Sequence, residues 1–188
     1  GMENVELVAV CDVIPERASE KAPSVGGNIG EASELDLSAQ ARYMCFSEML
    51  EKEKLDLVYI CTPTHVHAQM TVEALQAGNN VVCEKPMART VAQCDEMIAA
   101  AEKSGKMLFI AQCIRFWPEY EVLARMVGNG DLGQVKAARF IRQSATPGWA
   151  SEGWLMNQEL SGGALLDLHI HDVDFILSLL GKPNAVFA

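Results

Sequence analysis

The sequence has no C-x-x-C pair among its six cysteines, no visible secretory leader, and no internal repeat or low-complexity tract. No apolar stretch approaches the ~20 residues that a bilayer span needs. Cations are scarce as well: 15 Lys and Arg stand against 25 Asp and Glu, a formal net charge of -10. Each absence excludes a class. Without ligand spacing the cysteines do not read as a metal cluster. Without a leader, a 188-residue chain does not read as a small disulfide-stapled secreted domain. Four of the thiols, Cys11, Cys61, Cys83 and Cys113, sit in or just after apolar runs, where cysteine packs as a small hydrophobe. The expectation is a reduced, cytoplasmic protein. The acidic balance argues against nucleic acid, whose phosphates draw on Lys/Arg patches, and the short apolar runs argue against a membrane partner. What is present is ordinary for a globular chain: 49% hydrophobic and 21% charged residues, over a length that can bury a core. Gly1 ahead of Met2 reads as an expression scar.

Periodicity predicts an alternation of strands and helices. Residues 5–11 are Val-rich and end at Asp12, as a buried parallel strand would. Pro15 opens a helix over 15–21, and 22–40, with Gly26, Gly27 and Gly30, reads as loop or broken helix. Ser47 is a plausible cap for a helix to residue 54. Strand 57–61 is broken by Thr62-Pro63-Thr64, and helix 66–77 stops at Gly78. Strand 81–83 runs into Glu84-Lys85-Pro86. Thr90 caps a helix to about residue 103, Gly105 follows it, and strand 107–111 comes next. Four such alternations argue an α/β fold with a parallel sheet. The character changes at Arg115-Phe116-Trp117-Pro118. Beyond it we expect a helix over 118–126, a Gly-rich turn, a strand over 135–143, a long apolar helix over 165–180 and a strand starting near 185. The expected boundary gives two domains, 1–114 and 115–188.

In doubly wound sheets, ligands sit beyond the carboxyl ends of the strands. Three such ends are polar here. Asp12 suits an acid that hydrogen-bonds an adenosine ribose, or equally a helix cap. Lys85, held at a strand end and followed by Pro86, can reach a cofactor carboxamide or a substrate oxygen, or simply face solvent. Asp167 and His171 are four apart and share a helix face. In an apolar segment such groups are costly unless partnered, and histidine suits proton transfer near neutral pH; a satisfied core pair is the plainer reading. The four histidines fall in two H-x-H pairs, His65/His67 and His169/His171. On a helix, i and i+2 point apart, so neither pair is a natural chelate and no metal is expected.

At these residues the chain resembles a known family. The segments VELVAVCD, DLVYICTPTHVH, VVCEKPMA, IRFWPEY, GDLGQV and SGGALLDLHIHDVDF follow one another in the order seen in the Gfo/Idh/MocA (glucose-fructose oxidoreductase / inositol dehydrogenase) family of nicotinamide-dependent oxidoreductases. The resemblance spans nearly the whole chain, and E-K-P followed by G-G-x-L-x-D-x-x-x-H is specific in combination. It implies a Rossmann-like cofactor domain, then an α+β domain with an open, mostly antiparallel sheet. It implies catalytic roles for Lys85, Asp167 and His171, with the histidine moving a substrate hydroxyl proton while hydride passes to or from nicotinamide. It places Asp12, Val13, Thr62, Pro63, Thr64, His67, Glu84, Lys85, Gln112, Arg115 and Trp117 along the cofactor. On the substrate side it places Trp154 and Asn157 with Lys85, Asp167 and His171. The cofactor implied is NAD, because an acid at Asp12 repels a 2′-phosphate, with Arg17 leaving NADP open. The substrate implied is a sugar, polyol or related hydroxy compound.

Two departures qualify the resemblance. His169 stands where the family often has glycine, either lining the pocket or packing. The family's first strand and its G-x-G-x-x-G turn have no counterpart, and Gly26-Gly27-Asn28-Ile29-Gly30 has the wrong spacing to replace them. The expectation is therefore a chain lacking the first βα unit and part of the second domain. An alternative to the dehydrogenase reading follows: a catalytically silent relative serving as a binding or assembly module. An open sheet edge in the second domain also predicts a homo-oligomer.

Overall fold

The structure, a computed structural model, describes residues 4–22, 35–145 and 151–187. Parallel pairing occurs in two blocks. Strands β5 (Leu57–Ile60), β6 (Asn80–Glu84) and β7 (Leu108–Ala111) form a three-stranded sheet in that order, with Val58 opposite Val81 and Val81 opposite Leu108. Strands β1 (Ala9–Cys11) and β4 (Ala41–Tyr43) form a separate parallel pair. Between them in sequence, β2 (Lys21–Ala22) and β3 (Leu35–Asp36) make a short antiparallel ladder.

Parallel neighbours need crossovers, and helices α2 (His67–Gln76) and α3 (Val91–Ser104) supply them. Their ends follow from local chemistry. Gly78 stops α2 at φ +87°, where a Cβ would be strained. Thr90 caps α3 by accepting a hydrogen bond from the Gln93 amide at 3.2 Å. The two helices bury Val58, Ile60, Val81 and Cys83 against Ala74, Leu75 and Met97. Each larger aliphatic side chain so buried contributes about 1.5–3 kcal/mol. The opposite sheet face is open among the described residues: Leu57, Tyr59 and Phe109 are each about half exposed. The strand β5 thus alternates exposed and buried, rather than being buried on both faces as its apolar composition suggested.

The later segment packs around a second, aromatic centre. Helix α4 (Pro118–Asn129) carries Tyr120, whose ring meets buried Phe175 edge-on at 4.8 Å; Phe140 does so at 6.2 Å. Phe175 lies on α7 (Ile170–Leu180).

Several expected elements differ. Residues 15–20 form turns and bends instead of a helix and Lys21 already belongs to β2, because the Ser19 hydroxyl donates to the Glu16 and Lys21 carbonyls and the Arg17 and Ser19 amides bond three residues back. Helix α1 (Phe46–Lys52) is preceded by Cys45, and Ser47 lies inside it, with its hydroxyl donating to Glu73. The expected helix over 165–180 is two helices, α6 (Gly163–Asp167) and α7, parted at Leu168 and His169. Residues 135–143 and the stretch from 185 have no ladder partner among the described residues, and without pairing an extended chain is not a strand. The expected antiparallel sheet of the second domain therefore has no counterpart among the described residues. The Gly26–Gly30 cluster lies outside them.

Candidate active site

Two of the three expected polar strand ends, Thr62-Pro63-Thr64 and Glu84-Lys85-Pro86, follow the neighbouring strands β5 and β6, and the third, Asp12, follows β1 in the separate pair. After β5, the Thr62-Pro63-Thr64 turn leads through a 3-10 turn (Thr64–Val66) into α2. The His67 ring is almost wholly buried, and its nitrogens lie 2.9 Å from the Thr62 and Pro86 carbonyl oxygens. It therefore clamps the loop after β5 to the loop after β6. The Thr62 hydroxyl turns to the Met70 sulfur at 3.7 Å, and the Thr64 hydroxyl is buried without a partner among the described residues.

At the end of β6, Glu84 is engaged on both carboxylate oxygens. One accepts from the Tyr59 hydroxyl and the other from the Lys85 amide at 3.2 Å. The Lys85–Pro86 peptide is cis. From there the Lys85 side chain reaches across 82 positions of sequence: its Nζ donates to the Asp167 backbone carbonyl at 2.7 Å and to Asp167 Oδ1 at 3.1 Å. Lys85 and Asp167 side chains are only about one-fifth exposed, so this is a partly desolvated, charge-assisted contact.

Asp167 closes α6, and the α6/α7 break sets His171 one turn further on. His171 is buried and its Nδ1 has no hydrogen-bond partner among the described residues. Burial, then the positive charges of Lys85 and Arg142, hold its imidazole below the ordinary value, against the pull of Asp167 and Asp172. A neutral imidazole beside a lysine cation is the arrangement of a proton acceptor.

At the end of β7, Gln112 has a buried side-chain oxygen with no partner among the described residues and opens a 3-10 turn (Cys113–Phe116). On that turn Arg115 donates to both oxygens of Asp174, at 2.5 and 2.6 Å. Trp117 follows and stacks edge-on against Tyr120. An open cleft of about 400 Å3 is lined by Met87, Ile110, Gln112, Arg115, Phe116 and Asp174. It joins the ends of β6 and β7; Lys85 and His171 do not line it.

The remaining expected residues lie further out. Asp12 follows β1, takes the Ile14 amide at 2.9 Å and lies 4.0 Å from Arg17; Val13 is largely exposed. Asn157 caps the short helix α5 (Gln158–Ser161) by accepting from the Glu159 amide at 2.9 Å. Trp154 is half-buried in the turn before it. That helix packs on the 3-10 turn after β5, tied by Arg89, which donates to the Glu159 carbonyl. Among the described residues, no group of three or more His, Cys, Asp or Glu could hold a metal ion.

Sequence reasoning missed the ion pair of Arg142 with Asp172 beside His171. Its signal was faint: one of two arginines in a mixed-polarity stretch and an acid adjacent to His171.

A nicotinamide cofactor fits these ends. The buried polar atoms of Thr64 and Gln112 sit after the strands, where such a ligand lies, and that of His171 sits on α7; among the described residues all three lack the partners that buried polar atoms ordinarily have.

Comparison with known proteins agrees. Residues 2–112 match a family described as "Oxidoreductase family, NAD-binding Rossmann fold", and residues 120–188 match the "GFO/IDH/MocA C-terminal domain". The chain is 40% identical over 183 residues to D-glucoside 3-dehydrogenase of Escherichia coli (strain K12), covering 96% of this chain and 48% of that protein. It is 36% identical over 149 residues to trans-1,2-dihydrobenzene-1,2-diol dehydrogenase of Xenopus laevis, covering 78% of this chain and 44% of the other. The crystal structure of the WlbA dehydrogenase from Bordetella pertussis, in complex with NADH and UDP-GlcNAcA, superposes with a TM-score of 0.69 at 25% identity, covering 94% and 48% of the two chains. The chain thus spans about half the length of the curated relatives it matches. By both domain matches and by its relatives, it belongs to the Gfo/Idh/MocA family of NAD-binding oxidoreductases.

Proposed function

We propose that these residues form the catalytic centre of an NAD-dependent dehydrogenase acting on a secondary hydroxyl of a sugar, glycoside or polyol. The observation that carries the proposal is the Lys85–Asp167 contact beside a buried His171 whose Nδ1 has no partner among the described residues. Asp167 holds the lysine ammonium in place through two oxygens. Lys85 presents its charge where an alkoxide would develop, which lowers the cost of removing the hydroxyl proton. His171 accepts that proton and returns it in the reverse direction. NAD, when bound, supplies the hydride acceptor. His67 keeps the two strand-end loops together so that Thr62, Pro63, Thr64 and Glu84 can border the cofactor, with Gln112, Arg115 and Trp117 on its nicotinamide side. Asp12 and Val13 lie at the ribose end. There the carboxylate favours NAD over NADP, and Arg17 is already turned towards Asp12.

The division at residue 114, with Trp154 and Asn157 on the substrate side of the second part, belongs to the same reading. So does self-association through the later segment, supported by exposed Ile141, Val186 and Phe187. No described helix is long and apolar enough to cross a membrane. Six free thiols suit a reducing compartment.

The test is a scan of glycosides, free sugars and cyclic polyols with NAD and NADP, alongside calorimetry of cofactor binding to the chain. NADH formation with at least one hydroxy compound is the expected result. The absence of both turnover and cofactor binding would overturn the proposal for this chain and favour a silent binding module.

A further inference from the structure

The carboxylate of Asp172 is 3% exposed, the most deeply buried charge near the site. Its Oδ1 accepts from Arg142 Nε at 3.2 Å and Nη2 at 3.0 Å. Its Oδ2 accepts from Arg142 Nε at 3.1 Å and lies 3.2 Å from His169 Nδ1. Arg142 Nη2 also donates to the Tyr120 hydroxyl at 2.9 Å. One guanidinium thus joins three parts of the fold: the extended segment before residue 145, helix α4, and the first turn of α7. Burying such a pair costs desolvation that a hydrophobic contact would avoid, so the pair explains little as glue alone.

Its neighbour in the chain is His171. Two cations, Lys85 and Arg142, and two carboxylates, Asp167 and Asp172, act on that imidazole, and their formal charges cancel. On the next turn of α7, Arg115 and Asp174 neutralise one another. Tyr120 of α4 presents its hydroxyl to Arg142, and His169 its ring to Asp172.

We propose that Arg142 and Asp172 are positioning residues of the reaction: their ion pair fixes the turn of α7 that carries His171 and balances Lys85 and Asp167 around its imidazole. The inference rests on the reading of His171 as proton acceptor. It adds two residues that touch neither substrate nor cofactor but set the state of one that does. Removing either leaves an odd charge close to a buried ring, and the two removals act in opposite directions.

The experiment is an NMR titration of the His171 ring in the full chain, assigned by the signal lost in His171→Asn. Activity against pH follows where turnover is found. Arg142→Gln leaves two carboxylates against one ammonium and moves the midpoint up. Asp172→Asn leaves two cations against one carboxylate and moves it down. The double variant returns close to the starting midpoint, and Arg142→Lys, which keeps the charge, changes it least. The acid limb of kcat/KM follows the ring in each case. Folded single variants with an unmoved midpoint, or with both midpoints moved the same way, would overturn the proposal. A merely structural pair would lower Tm and rate at every pH without displacing the midpoint. If Arg142→Gln does not fold, Asp172→Asn decides alone: a downward move supports the proposal, and no move or an upward one sinks it. A ring that moves while the acid limb stays still would refute His171 as the acceptor, and the positioning role with it. Absence of turnover would count against the dehydrogenase reading, and the titration would still decide the coupling.

Discussion

Replacing Lys85 with methionine separates catalysis from stability more sharply than any other single change at this site. The ammonium makes two charge-assisted hydrogen bonds, at 2.7 and 3.1 Å, to the carbonyl and carboxylate of Asp167. Hydrogen bonds to charged groups contribute about 1.5–3 kcal/mol each. Asp167 keeps about one-fifth of its side chain exposed, so water recovers part of what the lysine gave, and methionine preserves the packing of the stem. A net loss near the low end, about 1–2 kcal/mol, is expected. For a chain of this size that is a fall of a few degrees, about 2–4 °C per kcal/mol. Catalysis carries a different cost. A preorganised group facing a developing oxyanion accounts for roughly 100- to 1,000-fold in rate, about 3–4 kcal/mol of barrier. The assay is initial NADH formation with the best hydroxy substrate at saturating NAD, together with Tm and circular dichroism. Lys85→Met should lose at least 100-fold in kcat while remaining folded and binding NAD. Asp167→Asn should lose less, because the backbone carbonyl contact survives. A folded Lys85→Met protein within about ten-fold of the parent kcat would refute the electrostatic role, since no smaller magnitude is compatible with a preorganised cation at the oxyanion.

Other outcomes follow from the same geometry. His171 is held below its ordinary value in the folded chain, so the stability it contributes is complete above the unfolded value near 6.5 and is lost as pH falls through the folded one; Tm in His171→Asn should fall less steeply on acidification than in the parent. The acid limb of the oxidation rate should lie below the ordinary imidazole value for the same reason, and a limb above it would contradict the burial of the ring. Thr90→Ala removes the cap of α3 and should cost about 1 kcal/mol in denaturant unfolding with little effect on rate. Gly162→Ala is strained at φ +80°, and its Cβ would stand 2.4 Å from Leu166 Cδ2 and 2.9 Å from Leu166 Cβ. It should displace α6, and with it Asp167, lowering stability and kcat together.

Legibility from sequence varied with the kind of signal. The crossover helices were readable because Thr90, Gly78 and Gly105 mark their ends by local chemistry: a hydroxyl acceptor for a free amide, and residues without a Cβ at positive φ. Three strands of the sheet were readable from short apolar runs. The turns after Asp12 were not, because Ser19 offers the backbone competing bonds that composition does not weigh. Residues 135–143 have strand composition, but pairing is a property of two segments, and no partner lies alongside among the described residues. In the site, Lys85 could be placed at a strand end by its Pro86 neighbour, whereas spacing put Asp167 and His171 on one helix face and the break at Leu168 and His169 divides them between α6 and α7. That Lys85 closes on Asp167 from 82 positions away could not be read from sequence.

The sequence by itself determined the alternation of β and α units, the identity of the three candidate catalytic side chains and the family to which they point, because each is carried by local periodicity or by residues close in the chain. Only the tertiary structure decided the charge around His171, the clamp of His67 between two loops, and the half-covered sheet. Each depends on which distant segments meet, and desolvation, ion pairing and packing exist only once they do.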